Sequence, residues 1–242
     1  ATLRASLVDS WESLGPGDQD MLQQCTVFRG GFDLEAAEAV LVPIGSDTTV
    51  LEHLQRLRDH SLLRVESGPH GTRMSLLRFV RAFVMEQPVQ HDARALEQRH
   101  AEVYVARCEQ CRLRNGLLAW STYDAVGPDL ENLRAAAERV ATFPDGLAVQ
   151  TLTARPTAIF GRGLADEALR HTQEAFERTR TGSNIPLVAA VVAWSRHGIR
   201  SMDRTGPDVG VSALRKAIAL AETGPIHESG VRVQLELARH LY

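Results

Sequence analysis

Gly163–Thr179 reads GLADEALRHTQEAFERT, and 42 residues further on Thr205–Ala221 reads TGPDVGVSALRKAIALA. Asp166 falls on Asp208, Ala168 on Gly210, Leu169 on Val211, Ala175 on Ala217 and Phe176 on Ile218. Small and apolar residues at helical spacing mark one face of a helix, and the small ones let a neighbouring helix approach closely. A helix pair that cannot bury its apolar face alone stacks on its neighbours. The pattern predicts helix pairs at about 146–160 with 164–180 and at about 186–202 with 207–223, and a further helix starting near Ile226. Gly161, Gly163, Gly182, Gly206 and Gly224 punctuate them. The period exceeds the roughly 34 residues of an ordinary tetratricopeptide repeat, so longer helices or a longer connection are expected. A stacked helical surface of this kind points to recognition rather than catalysis.

The chain has 242 residues, enough for one large domain or two small ones, and 44% of them are hydrophobic. A formal net charge of −3 gives no general attraction to nucleic acid or to acidic membranes. No apolar run approaches the roughly 20 residues of a membrane span, and no signal segment opens the chain. Three cysteines, an odd number, argue for a reducing, cytoplasmic setting. The first residues are already helical without an initiator Met, and the last, VRVQLELARHLY, lie inside an amphipathic pattern. Continuation beyond both ends is expected.

Outward from the repeat toward the N-terminus, the texture changes. Thr2–Leu14 places Leu3, Leu7, Trp11 and Leu14 on one helical face. Gly15, Pro16 and Gly17 break it, and Asp18 is expected to cap a second helix running to about Phe28. Arg29–Gly31 form a turn, Asp33 caps a short helix to Leu41, and a loop runs from Pro43 to Asp47. Thr49–Asp59 is a fourth helix with Val50, Leu51, Leu54 and Leu57 inward. Ser61–Glu66 and Thr72–Ser75 suit two strands around the turn SGPHG, and Leu76–Gln87 is helical again until Pro88. Helices, a hairpin and a closing helix make a winged-helix pattern over residues 1–90. Two long helices, 91–114 and 128–142, make a connector over 91–143, and the repeats occupy 144–242. The expected fold is mainly α: a winged-helix domain with a small β-hairpin followed by a tetratricopeptide-like α-solenoid. Trp11, Phe28, Phe32, Leu77, Val80 and Phe83 are the expected core of the first part.

Residues 1–40, ATLRASLVDSWESLGPGDQDMLQQCTVFRGGFDLEAAEAV, with SLLRVE, LLRFVRAF and RHAEVY (Arg99–Tyr104), resemble a known family. They are similar to the winged-helix region that follows the nucleotide-binding core in bacterial STAND-class regulators, signal-transduction ATPases related to the NB-ARC proteins. DLENLRAAAERV, Asp129–Val140, resembles the start of that family's tetratricopeptide-like sensor. The resemblance covers about the first 140 residues; the repeats match in pattern alone. It implies a winged helix that packs on a nucleotide-binding domain of the same polypeptide, an ATP- or ADP-bound parent protein, and repeats that sense an inducer or a protein. Related proteins carry a Met-His-Asp triplet whose histidine approaches the nucleotide phosphate. Alignment on Arg81 places Leu76, Leu77 and Arg78 there, so the histidine is missing and Arg78 is the candidate nucleotide-proximal charge. The alternative role for Arg78 is a solvated or salt-bridged helix residue.

No site for chemistry is legible in the chain itself. There is no Gly-x-x-x-x-Gly-Lys-Ser/Thr loop, and Lys216 is the single lysine, so no cofactor is expected within this segment. RGGF at Arg29–Phe32 is too short to cradle a phosphate. Cys108 and Cys111 form CEQC inside a helix without the second pair a zinc site needs, and read as structural thiols. His53 and His60 share a helix without a completing ligand set, and His100 reads as a packing residue. Neither a catalytic role nor a metal is expected.

Two binding readings compete. Winged helices often read the major groove, but residues 1–90 hold eight arginines and no lysine against twelve acids, a balance of −4. DNA binding by a winged-helix transcription factor is therefore the alternative, and a free-standing interaction scaffold another. The favoured reading is a non-catalytic sensor segment of a larger regulator. Its candidate effector- or partner-binding residues are Phe160, Arg162, Trp194, Arg196 and Arg200, since exposed aromatic and arginine side chains are typical anchors. Trp120 and Tyr123 lie in a loop-like stretch between the two long helices.

Overall fold

Pro16 opens the second helix, which the sequence suggested would start only at an Asp18 cap. It sits at the first helical position, where its missing N–H costs nothing, and Gly15 is the cap. The computed structural model describes residues 3–45, 48–69, 71–89, 91–115, 127–159, 165–204 and 207–223. They form α1 (Leu3–Glu12), α2 (Pro16–Gln24), α3 (Leu34–Val40), α4 (Val50–Asp59), β1 (Leu63–Gly68), β2 (Gly71–Leu76), α5 (Arg78–Val84) and α6 (Ala93–Asn115). After these come α7 (Leu130–Glu138), α8 (Asp145–Ile159), α9 (Ala165–Thr181), α10 (Leu187–Arg204) and α11 (Pro207–Glu222). The fold is mainly helical with one two-stranded antiparallel sheet among the described residues. The chain divides into two units, Ala1–Val103 and Tyr104–Tyr242, and the division falls inside α6, within the expected connector.

The first unit is the winged helix. Asp33 caps α3 by accepting from the Ala36 amide at 2.8 Å. Thr49 and Glu52 form a reciprocal capping box on α4, and those hydrogen bonds hold the Glu52 carboxyl below its usual pKa. The hairpin pairs Leu63 with Leu76, Val65 with Met74 and Gly68 with Gly71. A third, one-residue strand is absent from the sequence reading. Phe32 and Met74 exchange backbone hydrogen bonds of 2.9 and 2.7 Å. Gly31 makes this approach, at φ +96° and with room for a Cβ only 3.2 Å from the Met74 carbonyl. Phe28 stacks on Phe32 with centroids 4.1 Å apart, and His100 meets Phe28 edge-on at 5.5 Å. Arg81 donates to the carbonyls of Thr26 and Phe28, which closes the end of α2 against α5.

Three expectations of burial change. Trp11 and Leu77 are half-buried rather than core residues, although Trp11 still meets Phe83 edge-on at 6.1 Å. Leu51, expected inward, is 40% exposed because α4 packs through Val50, His53, Leu54 and Leu57, one turn-face further round.

In the second unit α8 packs on α9 and α10, and α10 packs on α9 and α11. The starts of α8 and α10, at 145 and 187, and of α9 and α11, at 165 and 207, each lie 42 residues apart. Gly210, one of the repeat's small positions, stands at the α10–α11 crossing. A Cβ on Gly198 would lie 2.9 Å from the Gly210 carbonyl oxygen and 2.7 Å from Leu214 Cγ. The turn between α9 and α10 seats on the start of α8, where a Cβ on Gly146 would lie 2.5 Å from the Asn184 carbonyl oxygen. The Ser183 amide donates to Asp145 there at 3.1 Å. Among the described residues no helix is long and apolar enough to cross a membrane.

Candidate functional site

In a DNA-reading winged helix α4 would enter the groove, its N-terminal residues on base edges and its arginines on phosphates. Here those arginines have carboxylate partners. Arg56 Nε donates to Asp18 of α2 at 3.0 and 2.9 Å, and His53 Nδ1 lies 2.6 Å from the same carboxylate. Arg58 pairs with Asp59 at 2.8 Å, and Arg64 of the hairpin with Glu66 at 2.6 Å. The first turn of α4 offers Glu52, a carboxylate. The connection from α3 to α4 is nine residues, 41–49, against roughly three or four in a helix-turn-helix. Asp18, expected as a helix cap, is instead the anion of this cluster. Its sequence signal was three titratable side chains, but α2 and α4 had to be packed together to reveal the pairing.

Arg78 lies on the exposed first turn of α5 with no ion-pair partner among the described residues. The Cys25 thiol is fully buried, and burial pushes its pKa up to about 12. Cys108 is buried and donates its thiol to the Ala154 carbonyl at 3.4 Å. The side chain of Cys111 lies outside the described residues.

The candidate effector residues separate. Phe160, Arg162 and the side chain of Arg200 lie outside the described residues, as do Trp120, Tyr123 and the helix expected near Ile226. Arg196 donates to the Thr153 carbonyl at 2.7 Å and so ties α10 to α8. Trp194 is half-buried and lines an open cleft of about 480 Å³ between the ends of α9, α10 and α11. Ile185, Leu187, Ala190 and Leu220 supply its apolar wall, while Arg180 and Lys216 supply its charge. Phe176 holds the floor's geometry. Its ring meets Trp194 edge-on at 4.8 Å, stacks on His197 at 3.6 Å, and carries the Arg180 guanidinium 5.8 Å above its centroid. Sequence reading missed Arg180 and Lys216, although Arg180 follows Phe176 by one helical turn and Lys216 is the single lysine of the chain.

Over 108 residues the chain is 35% identical to proteins provisionally named HTH-type transcriptional regulators in Mycobacterium bovis and in two strains of Mycobacterium tuberculosis. It is related to them over part of its length. The match takes in 43% of this chain and 12% of each relative, so the chain spans about an eighth of the regulators it matches. Their name describes proteins far longer than the shared stretch. No protein-family model and no solved structure matches the chain.

Proposed function

We propose that this chain is a non-catalytic regulatory segment of a larger bacterial STAND-class protein, a transcriptional or signalling regulator. The winged-helix unit packs on a nucleotide-binding domain of the same polypeptide, and the paired helices form a tetratricopeptide-like sensor for an inducer or protein. ATP or ADP belongs to the parent protein, with Arg78 the residue of this segment nearest to it. The setting is the cytoplasm. The observation that carries the reading is the open cleft around Trp194, walled by apolar side chains of α10, α11 and the turn before α10 and large enough for a small molecule. The partial identity to regulators many times longer than the matched stretch supports it.

A thermal-shift screen of the 242-residue chain against cell metabolites tests the sensor. A ligand at a hundred times its Kd stabilises by about 2.7 kcal/mol, which raises Tm by about 5 °C or more in a chain of this size. At least one metabolite is expected to do so. A screen without any hit, together with unchanged output from a parent regulator carrying Trp194→Ala, defeats the reading.

DNA binding is the second reading, favoured by the relatives' names. Fluorescence anisotropy with duplex DNA at low salt separates the two. The paired arginines of α4 and the hairpin predict no salt-sensitive binding. A free-standing scaffold would instead bind a protein and show no small-molecule response.

A further inference from the structure

The cleft beside Trp194 has a chemical bias that goes beyond its existence. Among the described residues its lining holds two cations, Arg180 and Lys216, and no carboxylate. Arg180 is partly compensated, by Glu177 at 3.2 Å. Lys216 is exposed and has no ion-pair partner among the described residues. The Trp194 indole N–H likewise has no hydrogen-bond acceptor among them, its ring being engaged by Phe176 alone. The Thr179 hydroxyl is turned away, donating to the Ala175 carbonyl at 2.7 Å. Among the described lining side chains, Lys216 and the Trp194 indole N–H are therefore uncommitted donors, and they border a wall of Ile185, Leu187, Ala190 and Leu220. A cation beside a low-dielectric wall attracts an anion more strongly than one in open water.

We propose that this cleft binds a small amphiphilic anion, its carboxylate or comparable acidic group held by Lys216 and Arg180 and its apolar body laid against Trp194 and Leu220. The assignment rests on the sensor reading of the same cleft and names the ligand class. The volume suits one aromatic or branched aliphatic body with a single acidic head. An uncharged molecule of the same shape fills the wall but leaves Lys216 unpaired and Arg180 with Glu177 alone.

The test uses the full 242-residue chain and two probes of equal shape, 1-naphthylacetate and its amide, 1-naphthylacetamide, followed by titration calorimetry. The acetate is expected to bind about tenfold or more tighter than the amide, and its affinity to fall as NaCl rises from roughly 20 to 200 mM. Lys216→Gln and Arg180→Gln should each bring the acetate toward the affinity of the amide and leave the amide unchanged. Lys216→Arg should restore most of the difference. Lys216 is exposed, so its variants keep the fold, and matched melting curves check this. Equal binding of the two probes, no binding of either below about 1 mM, or full acetate affinity in Lys216→Gln overturns the proposal. The two readings fail separately. Metabolite hits that are all neutral or cationic sink the anion assignment and leave the sensor standing. Acetate binding that behaves as expected, with an empty metabolite screen and no effect of Trp194→Ala on the parent's output, sinks the sensor instead.

Discussion

Arg56 of α4 lays its Nε against both oxygens of Asp18 of α2, at 3.0 and 2.9 Å. The Asp18 side chain is 13% exposed and that of Arg56 43%, so the carboxylate is the committed partner. His53, 5% exposed, completes the cluster, and its Nε2 is buried without a hydrogen-bond partner. An arginine that would face phosphate in a DNA reader here ties two helices of the winged-helix unit together.

The first prediction follows from that geometry. Asp18→Asn leaves His53 and Arg56 without an anion and should lower stability in urea by about 1.5–3 kcal/mol, the range for hydrogen bonds to charged groups. Arg56→Ala should cost less, because its guanidinium is half in water and exposed pairs contribute little. A DNA contact would behave the other way round: Arg56→Ala would leave the denaturation midpoint alone and weaken duplex binding. Denaturation and anisotropy on the same two variants decide between them.

The α10–α11 crossing supplies the second prediction. Gly198 meets the Gly210 carbonyl and the Leu214 side chain closer than any Cβ tolerates. Gly198→Ala should push the helices apart and destabilise the second unit by about 1–3 kcal/mol, the cost of overpacking, despite the better helix propensity of alanine. A variant as stable as the parent or more so, by calorimetry, would show that the close approach is not needed.

The Cys25 thiol gives a third. It is fully buried beside Arg81, and burial outweighs the favourable arginine charge to push the thiol up to about 12. The thiolate is the reactive form, so Cys25 should resist alkylation at pH 8 until the winged helix unfolds. A raised thiol pKa contributes fully below the unfolded value near 9 and is lost as pH rises from there toward 12. Mass spectrometry of peptides after iodoacetamide treatment checks the first part, and Cys25→Ala with a flatter alkaline stability profile checks the second.

The helices, the hairpin and the 42-residue repeat were legible because each rests on a local signal. Asp33 and Thr49 announce helix starts, SGPHG announces a turn, and the spacing of Gly210 and Ala217 announces a packed face. What stayed hidden depends on residues far apart in sequence. Phe32 gave no strand signal because a one-residue strand has no periodicity; its pairing with Met74 follows from Gly31 and the hairpin together. Asp18 looked like a cap because it follows a break, but Pro16 had already started the helix. Leu51 looked inward because it continues an apolar run, and only the packing of α4 on α2 sets which side is covered. At the cleft, Trp194 was legible as an aromatic anchor. Lys216 was not, since a lysine on a helix is ordinarily a solvated residue, and its place in the same cleft as Arg180 appears only once α9 and α11 flank α10.

His197 links the floor of that cleft to pH. Its ring stacks on Phe176 at 3.6 Å with planes 7° apart, and its Nε2 lies 3.3 Å from the Ser201 hydroxyl. Partial burial lowers its pKa below the ordinary 6.5; Glu177 opposes the shift and Arg180 adds to it. The native state therefore resists protonation that the unfolded chain accepts. Stability from this group is present above about pH 6.5 and lost as pH falls through the lowered value. His197→Gln should flatten the fall in Tm between about pH 7 and 5, and an NMR titration of the wild type should place His197 below a free histidine. Phe176→Ala removes the stacked ring, should cost about 3–5 kcal/mol as a large-to-small change, and should move the His197 pKa back toward 6.5 by admitting water. A His197 pKa that stays low in Phe176→Ala would assign the shift to Arg180 rather than to burial. Arg180→Gln then separates the two, since losing the guanidinium raises the histidine pKa only if that charge is what holds it down.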